Sequence, residues 1–198
     1  MIDNKEVIKW CFVGITENTL ANTSNQKVLN VAKKEEDLWG NSILGTIDNG
    51  QWTTKLCETL VKEALERIGR KGVKKASMIE ASLRDKKYSP DLECDKYVYE
   101  VKGRNWTTTG TAGEKILGVP LKYGEVPRLY HKPLQIILVG YQEYEARKDF
   151  AFGNLLNSEE QTKELKDSLV FYKEHNIEYV GFTDILKKIG LGKEYYSE

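Results

Sequence analysis

Asp91, Glu100 and Lys102 are the residues whose types and spacing best suit a chemical step. Lys96–Gly103 reads as a strand, with Tyr97, Val98, Tyr99, Glu100, Val101 and Lys102 alternating through β-forming residues. Strand side chains alternate faces, so Glu100 and Lys102 project together with Val98, and Tyr97, Tyr99 and Val101 face the other way. Tyr88–Cys94 reads as a partner strand, with a turn near Cys94-Asp95. A two-residue turn there pairs Glu93 with Lys96 and sets Asp91 opposite Val98, diagonal to Glu100. A slip of two positions in total sets Asp91 directly opposite Glu100. Both registers gather Asp91, Glu100 and Lys102 on one face. Two carboxylates across a strand pair repel each other unless something compensates. Magnesium does so, taking one or two carboxylates plus waters and a substrate phosphate. The nearby lysine can hold a water or neutralise transition-state charge. These are the requirements of metal-assisted phosphodiester hydrolysis.

Helices and further strands must hold that hairpin. Thr53–Ile68 is the clearest helix, with Leu56, Leu60, Val61, Ala64, Leu65 and Ile68 in one apolar stripe. Thr53 or Thr54 is expected to cap its start, and Gly69 its end. Leu134–Tyr141 is almost continuously apolar, as a strand buried on both faces is. Ser158–His175 is expected to be helical, with Glu159 and Glu160 early and lysines late. Ile177–Phe182 follows as a strand, and Thr183 caps a last helix through Ile189. Residues 104–133 are expected to be loops, with at most a short helix at Gly113–Leu117. Weaker helical patterns cover Lys5–Val13 and Gln26–Trp39, separated by polar Thr16–Asn25, and Asn41–Gly50 reads as a loop. The expected fold is α/β, a central mixed sheet flanked by helices in the order α-β-β-β-α-β. Residues 1–50 form an N-terminal helical and loop extension, a candidate for DNA or dimer contacts, and residues 51–198 the domain that carries the chemistry.

Composition bounds the function. The 198 residues are 40% hydrophobic and 30% charged, as in a soluble globular chain. No run approaches the ~20 apolar residues of a membrane span, and the expected location is cytoplasmic. Cys11, Cys57 and Cys94 are odd in number, far apart and without CxxC spacing, so buried reduced thiols are expected. Formal net charge is zero, with 30 basic and 30 acidic residues, which neither requires nor excludes nucleic acid. Basic residues nevertheless cluster at Arg67, Arg70, Lys71, Lys74 and Lys75, followed by Arg84, Lys86 and Lys87.

The stretches Gln51–Glu58, Tyr97–Lys115 and Val139–Glu145 resemble the PD-(D/E)xK nuclease superfamily, and within it small viral and bacterial type II restriction endonucleases. The likeness spans roughly residues 50–186. It implies a restriction-endonuclease-like core in which Asp91 and Glu100 bind Mg2+, with Mn2+ substituting, the Val101 carbonyl is a further ligand and Lys102 is the catalytic lysine. It also implies 5′-phosphate products and an additional acid on the first helix. From the stripe's centre near Cys57, Glu58 lies about 100° away and Glu63 about 120° the other way, at about 100° per residue. Both can reach inward, and the resemblance favours Glu58, for metal binding or for bridging to Lys102.

Arg104–Lys115 leaves the sheet beside Lys102 and should lie along a substrate. Arg104, Asn105, Trp106, Thr107, Thr108, Thr109, Thr111 and Lys115 are the candidate DNA contacts, with Gln142 added from the end of the apolar strand. His131 and His175 lack partner spacing and read as surface or capping residues, and Trp10, Trp39 and Trp52 as core or interface anchors. Symmetric duplex sites call for two-fold proteins, so a homodimer on double-stranded DNA is expected, with a cognate DNA methyltransferase as a genetic companion. The rival expectations are a repair, resolvase, homing or transposon-end nuclease of the same fold, and a DNA-binding protein without catalysis.

Overall fold

A computed structural model of the chain describes residues 1–14, 25–45, 51–83, 85–108, 111–153 and 161–196. Its elements begin with helices α1 (Lys5–Val13), α2 (Gln26–Leu44) and α3 (Trp52–Arg67). Strands β1 (Lys74–Lys75), β2 (Ile79–Glu80), β3 (Lys87–Tyr88), β4 (Leu92–Glu93) and β5 (Val98–Arg104) follow. Next come helices α4 (Val119–Lys122) and α5 (Val126–Tyr130), strand β6 (Leu134–Gly140) and helices α6 (Tyr141–Lys148) and α7 (Lys163–Glu174). Strand β7 (Ile177–Gly181) and helix α8 (Phe182–Lys188) end the series. Five strands form one sheet in the order β1-β4-β5-β6-β7, and β2 pairs with β3 separately. β4 runs antiparallel to β1 and β5, whereas β5, β6 and β7 are parallel. The protein is thus α/β, with a mixed central sheet flanked by helices.

Both faces of the sheet are covered, which is why β6 is apolar along its length. On one face, Tyr99, Val101, Ile137 and Val139 pack with α1, α3 and α8 through Trp10, Leu56, Leu60, Phe182 and Leu186. On the other, Val98, Leu134, Ile136, Leu138 and Tyr179 pack with Val119, Val126 and Ala146 of α4, α5 and α6. The N-terminal helices belong to this core. Trp10, Trp39 and Trp52 pack ring against ring within 5.9 Å, anchoring α1, α2 and α3 to one another. Cys11, Cys57 and Cys94 are free and buried.

Several elements depart from the sequence expectation. α2 runs past Trp39 through Leu44, so residues 41–44 are helix rather than loop. α3 begins at Trp52 with no side-chain cap, because the Thr53 hydroxyl bonds to Asn105 instead. Gly69, at φ +84°, does end it. Pro120 and Pro127 lie in the first turns of α4 and α5, where a missing N–H breaks no helical bond; prolines read as loop markers are helix starts here. α6 is unexpected. Gly140, at φ +61°, ends β6 and turns the chain straight into it, where an added Cβ would press on the Trp10 ring at 3.0 Å. α7 starts at Lys163, with Thr162 as its cap. Thr183 does not cap α8 by its side chain; its hydroxyl and N–H both donate to Glu143. The two-residue strands β1 and β2 have too little pattern to read, and Lys87–Tyr88 pairs with β2, not with β5. Most of Thr16–Asn25, the Asp48-Asn49-Gly50 turn, Arg84, Thr109, Glu159 and Glu160 lie outside the described residues. Among the described residues no helix is long and apolar enough to cross a membrane.

Candidate active site

The turn between β4 and β5 is wider than two residues, closed by the Cys94 N–H donating to the Tyr97 carbonyl at 2.9 Å. Leu92 therefore pairs with Tyr99 and Glu93 with Val98. That is the slipped register, which sets Asp91 opposite Glu100. β4 begins at Leu92, and the side chain of Asp91, just before it, extends the pairing: the Val101 N–H donates to Asp91 Oδ2 at 2.6 Å. Val98, Glu100, Lys102 and Arg104 form one row along β5. In register beside Glu100 and Lys102 on β6 are Ile136 and Leu138, both fully buried, so this row borders a water-poor surface.

Glu100 is 2% exposed. Its Oε1 is ion-paired with Lys102 Nζ, and its Oε2 is buried without a hydrogen-bond partner. Burial pushes the Glu100 carboxyl above the usual range, with the Asp91 charge adding and Lys102 and Lys122 opposing. Burial likewise raises Asp91, against the Val101 N–H bond and the charges of Lys102, Lys122 and Lys75. Glu58 is raised by its own burial and by Asp91, and lowered by Lys75 and Lys102, so it shares the field of the same site. Glu63 accepts from the Ile2 N–H at 2.8 Å instead. Of the two acids expected on α3, Glu58 thus lies in the field of Asp91 and Lys102, and Glu63 is bonded at the N-terminus. Among the described residues, no group of three or more histidine, cysteine or acidic side chains is arranged to hold a metal ion. The carboxylates directly paired across the strands are two, Asp91 and Glu100. Val101, the expected carbonyl ligand, buries its side chain under α3.

α3 comes close to β5 at Gly103. A Cβ there would overlap Cys57 Sγ and lie 3.2 Å from Cys57 Cβ, so a bare backbone lets Glu58, the next residue of α3, approach the site. Three further residues border the carboxylates. Lys75 comes from edge strand β1, Lys122 from α4, and Tyr123 caps the end of α4. Lys75 was visible only as part of a basic cluster. Lys122 and Tyr123 sit in a stretch whose helices the prolines concealed, and no local signal connects them to Glu100.

The expected DNA contacts divide. Arg104 is 8% exposed, ion-paired with Glu145, 5.1 Å from the Tyr141 ring centre and bonded through Nη2 to the Thr108 carbonyl at 2.6 Å. Thr107 is buried and donates to Glu36 Oε2 at 2.8 Å, and the Trp106 N–H donates to Glu36 Oε1 at 3.2 Å. The Trp106 ring packs on Tyr141 and Tyr144. Asn105 is held by Thr53, and buried Gln142 donates to Glu145 at 3.1 Å. These residues brace the segment after β5. Thr111 and Lys115 are exposed. Of the basic cluster, Arg67 pairs with Asp3, Lys74 with Glu93, and Arg70 lies over the Tyr97 ring. His131 and His175 cap the ends of α5 and α7, in keeping with a capping role.

No protein-family model, curated protein or solved structure matches this chain.

Proposed function

We propose that the chain is a magnesium-dependent DNA endonuclease with a restriction-endonuclease-like core of the PD-(D/E)xK type. One observation carries the proposal: Asp91 and Glu100 face each other across β4 and β5 with Lys102 in the same row, and Glu100 keeps a buried oxygen without a partner. An orphaned carboxylate oxygen beside a second carboxylate is the donor set a hard cation completes. Asp91 and Glu100 would hold Mg2+ or Mn2+, with the Val101 carbonyl as a further ligand. When bound, the ion supplies Lewis-acid polarisation of the phosphate and a more acidic water.

The chain's own groups do the rest. Asp91, Glu100 and Glu58 stand against Lys75, Lys102 and Lys122, so the local charge is balanced. A divalent cation makes it positive, which favours a phosphodiester. Lys102, released from Glu100, would hold the attacking water or steady charge on the phosphate oxygens, with Glu58 as the acid beside it. Apolar Ile136 and Leu138 limit water around the row and strengthen each of these interactions.

The proposed substrate is double-stranded DNA, cut site-specifically by a homodimer to leave 5′-phosphates, with a DNA methyltransferase encoded nearby. Incubating supercoiled plasmid with the protein in Mg2+ or EDTA tests this. Discrete Mg2+-dependent fragments support site-specific cutting, and general degradation supports a repair-type nuclease. Binding without cutting in Mg2+ and Mn2+ overturns the enzyme and leaves a DNA-binding protein.

A further inference from the structure

Helix α2 has two unlike sides. Its inner side is a single line of buried residues, Ala32, Glu36 and Gly40, one helical turn apart. Gly40 lies against the Trp52 ring, where a Cβ would overlap it. Glu36 accepts from the Thr107 hydroxyl at 2.8 Å, and Asp37 from the Trp52 indole at 2.9 Å. These contacts fix which side of α2 meets solvent. Val28, Val31, Glu35, Leu38 and Ser42, alternately three and four residues apart, share that outer side and are all exposed. Val31 is 59% and Leu38 62% exposed. Leu38 also walls a shallow groove with Asn30, Lys33, Lys34, Asp37 and Asn41, and such grooves receive the side-chain ridge of a facing helix.

Charge is divided along the same helix. Exposed Lys27, Lys33 and Lys34 lie in its N-terminal half, and Glu35 and Asp37 follow at once. Glu6, which accepts from the Trp39 indole at 3.3 Å, adds to the acidic half. The sign changes between Lys34 and Glu35. A parallel copy of α2 would set like charges together. An antiparallel copy, related by a two-fold axis at that junction, sets Lys34 beside Glu35 of the second copy and Val31 beside its Leu38. Symmetry then repeats both contacts, as in any isologous interface.

We propose that the outer side of α2 is where two copies of this chain meet, antiparallel, about a two-fold axis between Lys34 and Glu35. The proposal takes up the homodimer of the reading above and rests on none of its metal or phosphate chemistry. A pair of single helices is a small interface, so the dimer should dissociate in roughly the micromolar range, more readily at high salt.

Sedimentation velocity of the full chain in EDTA, over a concentration series, reads the dimer without metal, DNA or cutting. Leu38→Glu should raise the dimer dissociation constant at least about 10-fold, and melting of the dilute protein checks that the fold is kept. Lys34→Glu sets like charges together in both symmetric contacts and should raise it roughly 10-fold. Adding Glu35→Lys to that variant reverses both signs and should restore the wild-type value, which no effect on the monomer would do. A wild type that stays monomeric overturns the interface and leaves this side of α2 to DNA or another protein. A dimer indifferent to Leu38→Glu overturns it too, with the homodimer contact elsewhere. A double variant no tighter than Lys34→Glu overturns the antiparallel arrangement. A protein that dimerises as described and cuts no plasmid overturns the nuclease and not the interface.

Discussion

The Val101 backbone N–H donates to Asp91 Oδ2 at 2.6 Å. A side chain thus takes over where the regular pairing of β4 stops, and Asp91 is fixed to the strand that carries Glu100 and Lys102. One oxygen of Asp91 is committed to the backbone, so its carboxylate cannot swing away from Glu100 without breaking that bond. The fold thus holds the two acids close against their mutual repulsion.

Lys102→Ala should remove Mg2+-dependent plasmid cutting by about 100-fold or more while leaving DNA binding intact. Cutting rates paired with fluorescence anisotropy on a duplex measure both. Wild-type cutting by the variant refutes the role given to the lysine.

Glu100→Gln should abolish cutting and also stabilise the metal-free protein by about 0.5–2 kcal/mol, because a buried acid beside Asp91 becomes neutral. Lys102 is 30% exposed and stays partly hydrated without its partner. Thermal melts in EDTA decide the point, and a lower melting temperature for the variant counts against repulsion at the pair.

Much of this site was legible because strand parity is a local rule. Glu100 and Lys102 share a face whatever the fold does, and the turn had only to choose between two registers that agree on Asp91. The apolar stripe of α3 and the continuous run of β6 were legible for the same reason. Lys75, Lys122 and Tyr123 were not, since they reach Glu100 or Asp91 only through pairing with β4 or through α4, contacts that no local spacing encodes. Arg104, Thr107 and Gln142 have side chains suited to DNA, but composition does not reveal that Glu145 and Glu36 already hold them.

Gly103→Ala should destabilise the fold by roughly 1–3 kcal/mol by pushing α3 off β5. Its Cβ would overlap Cys57 Sγ, so Cys57→Ala should recover part of the loss. Urea unfolding of both single variants and the double measures the coupling. Simple additivity removes the steric explanation.

Glu36 predicts a pH dependence. It is 2% exposed, and burial raises its carboxyl above the ordinary glutamate range, opposed by the bonds from Thr107, Trp106 and Trp10. The folded state therefore binds this proton more tightly than the unfolded chain does. The stabilising contribution is full below the unfolded value and is lost as pH rises through the folded one. Glu36→Gln cannot ionise, so its stability relative to wild type should rise as pH climbs above the ordinary glutamate range. Urea unfolding over a series of pH values tests this, and a constant difference between the two proteins contradicts it.

The same carboxylate has a consequence for the order of folding. Glu36 meets Trp106 and Thr107 across 70 and 71 residues of chain, so the segment after Lys102 is secured only when distant parts of the polypeptide have met. Contacts of such long range close late and slowly, because the entropy of the intervening loop must be overcome first. The hairpin holding Asp91 and Glu100 is local and can form early. By this argument the acidic pair should form before the segment that flanks the lysine is in place.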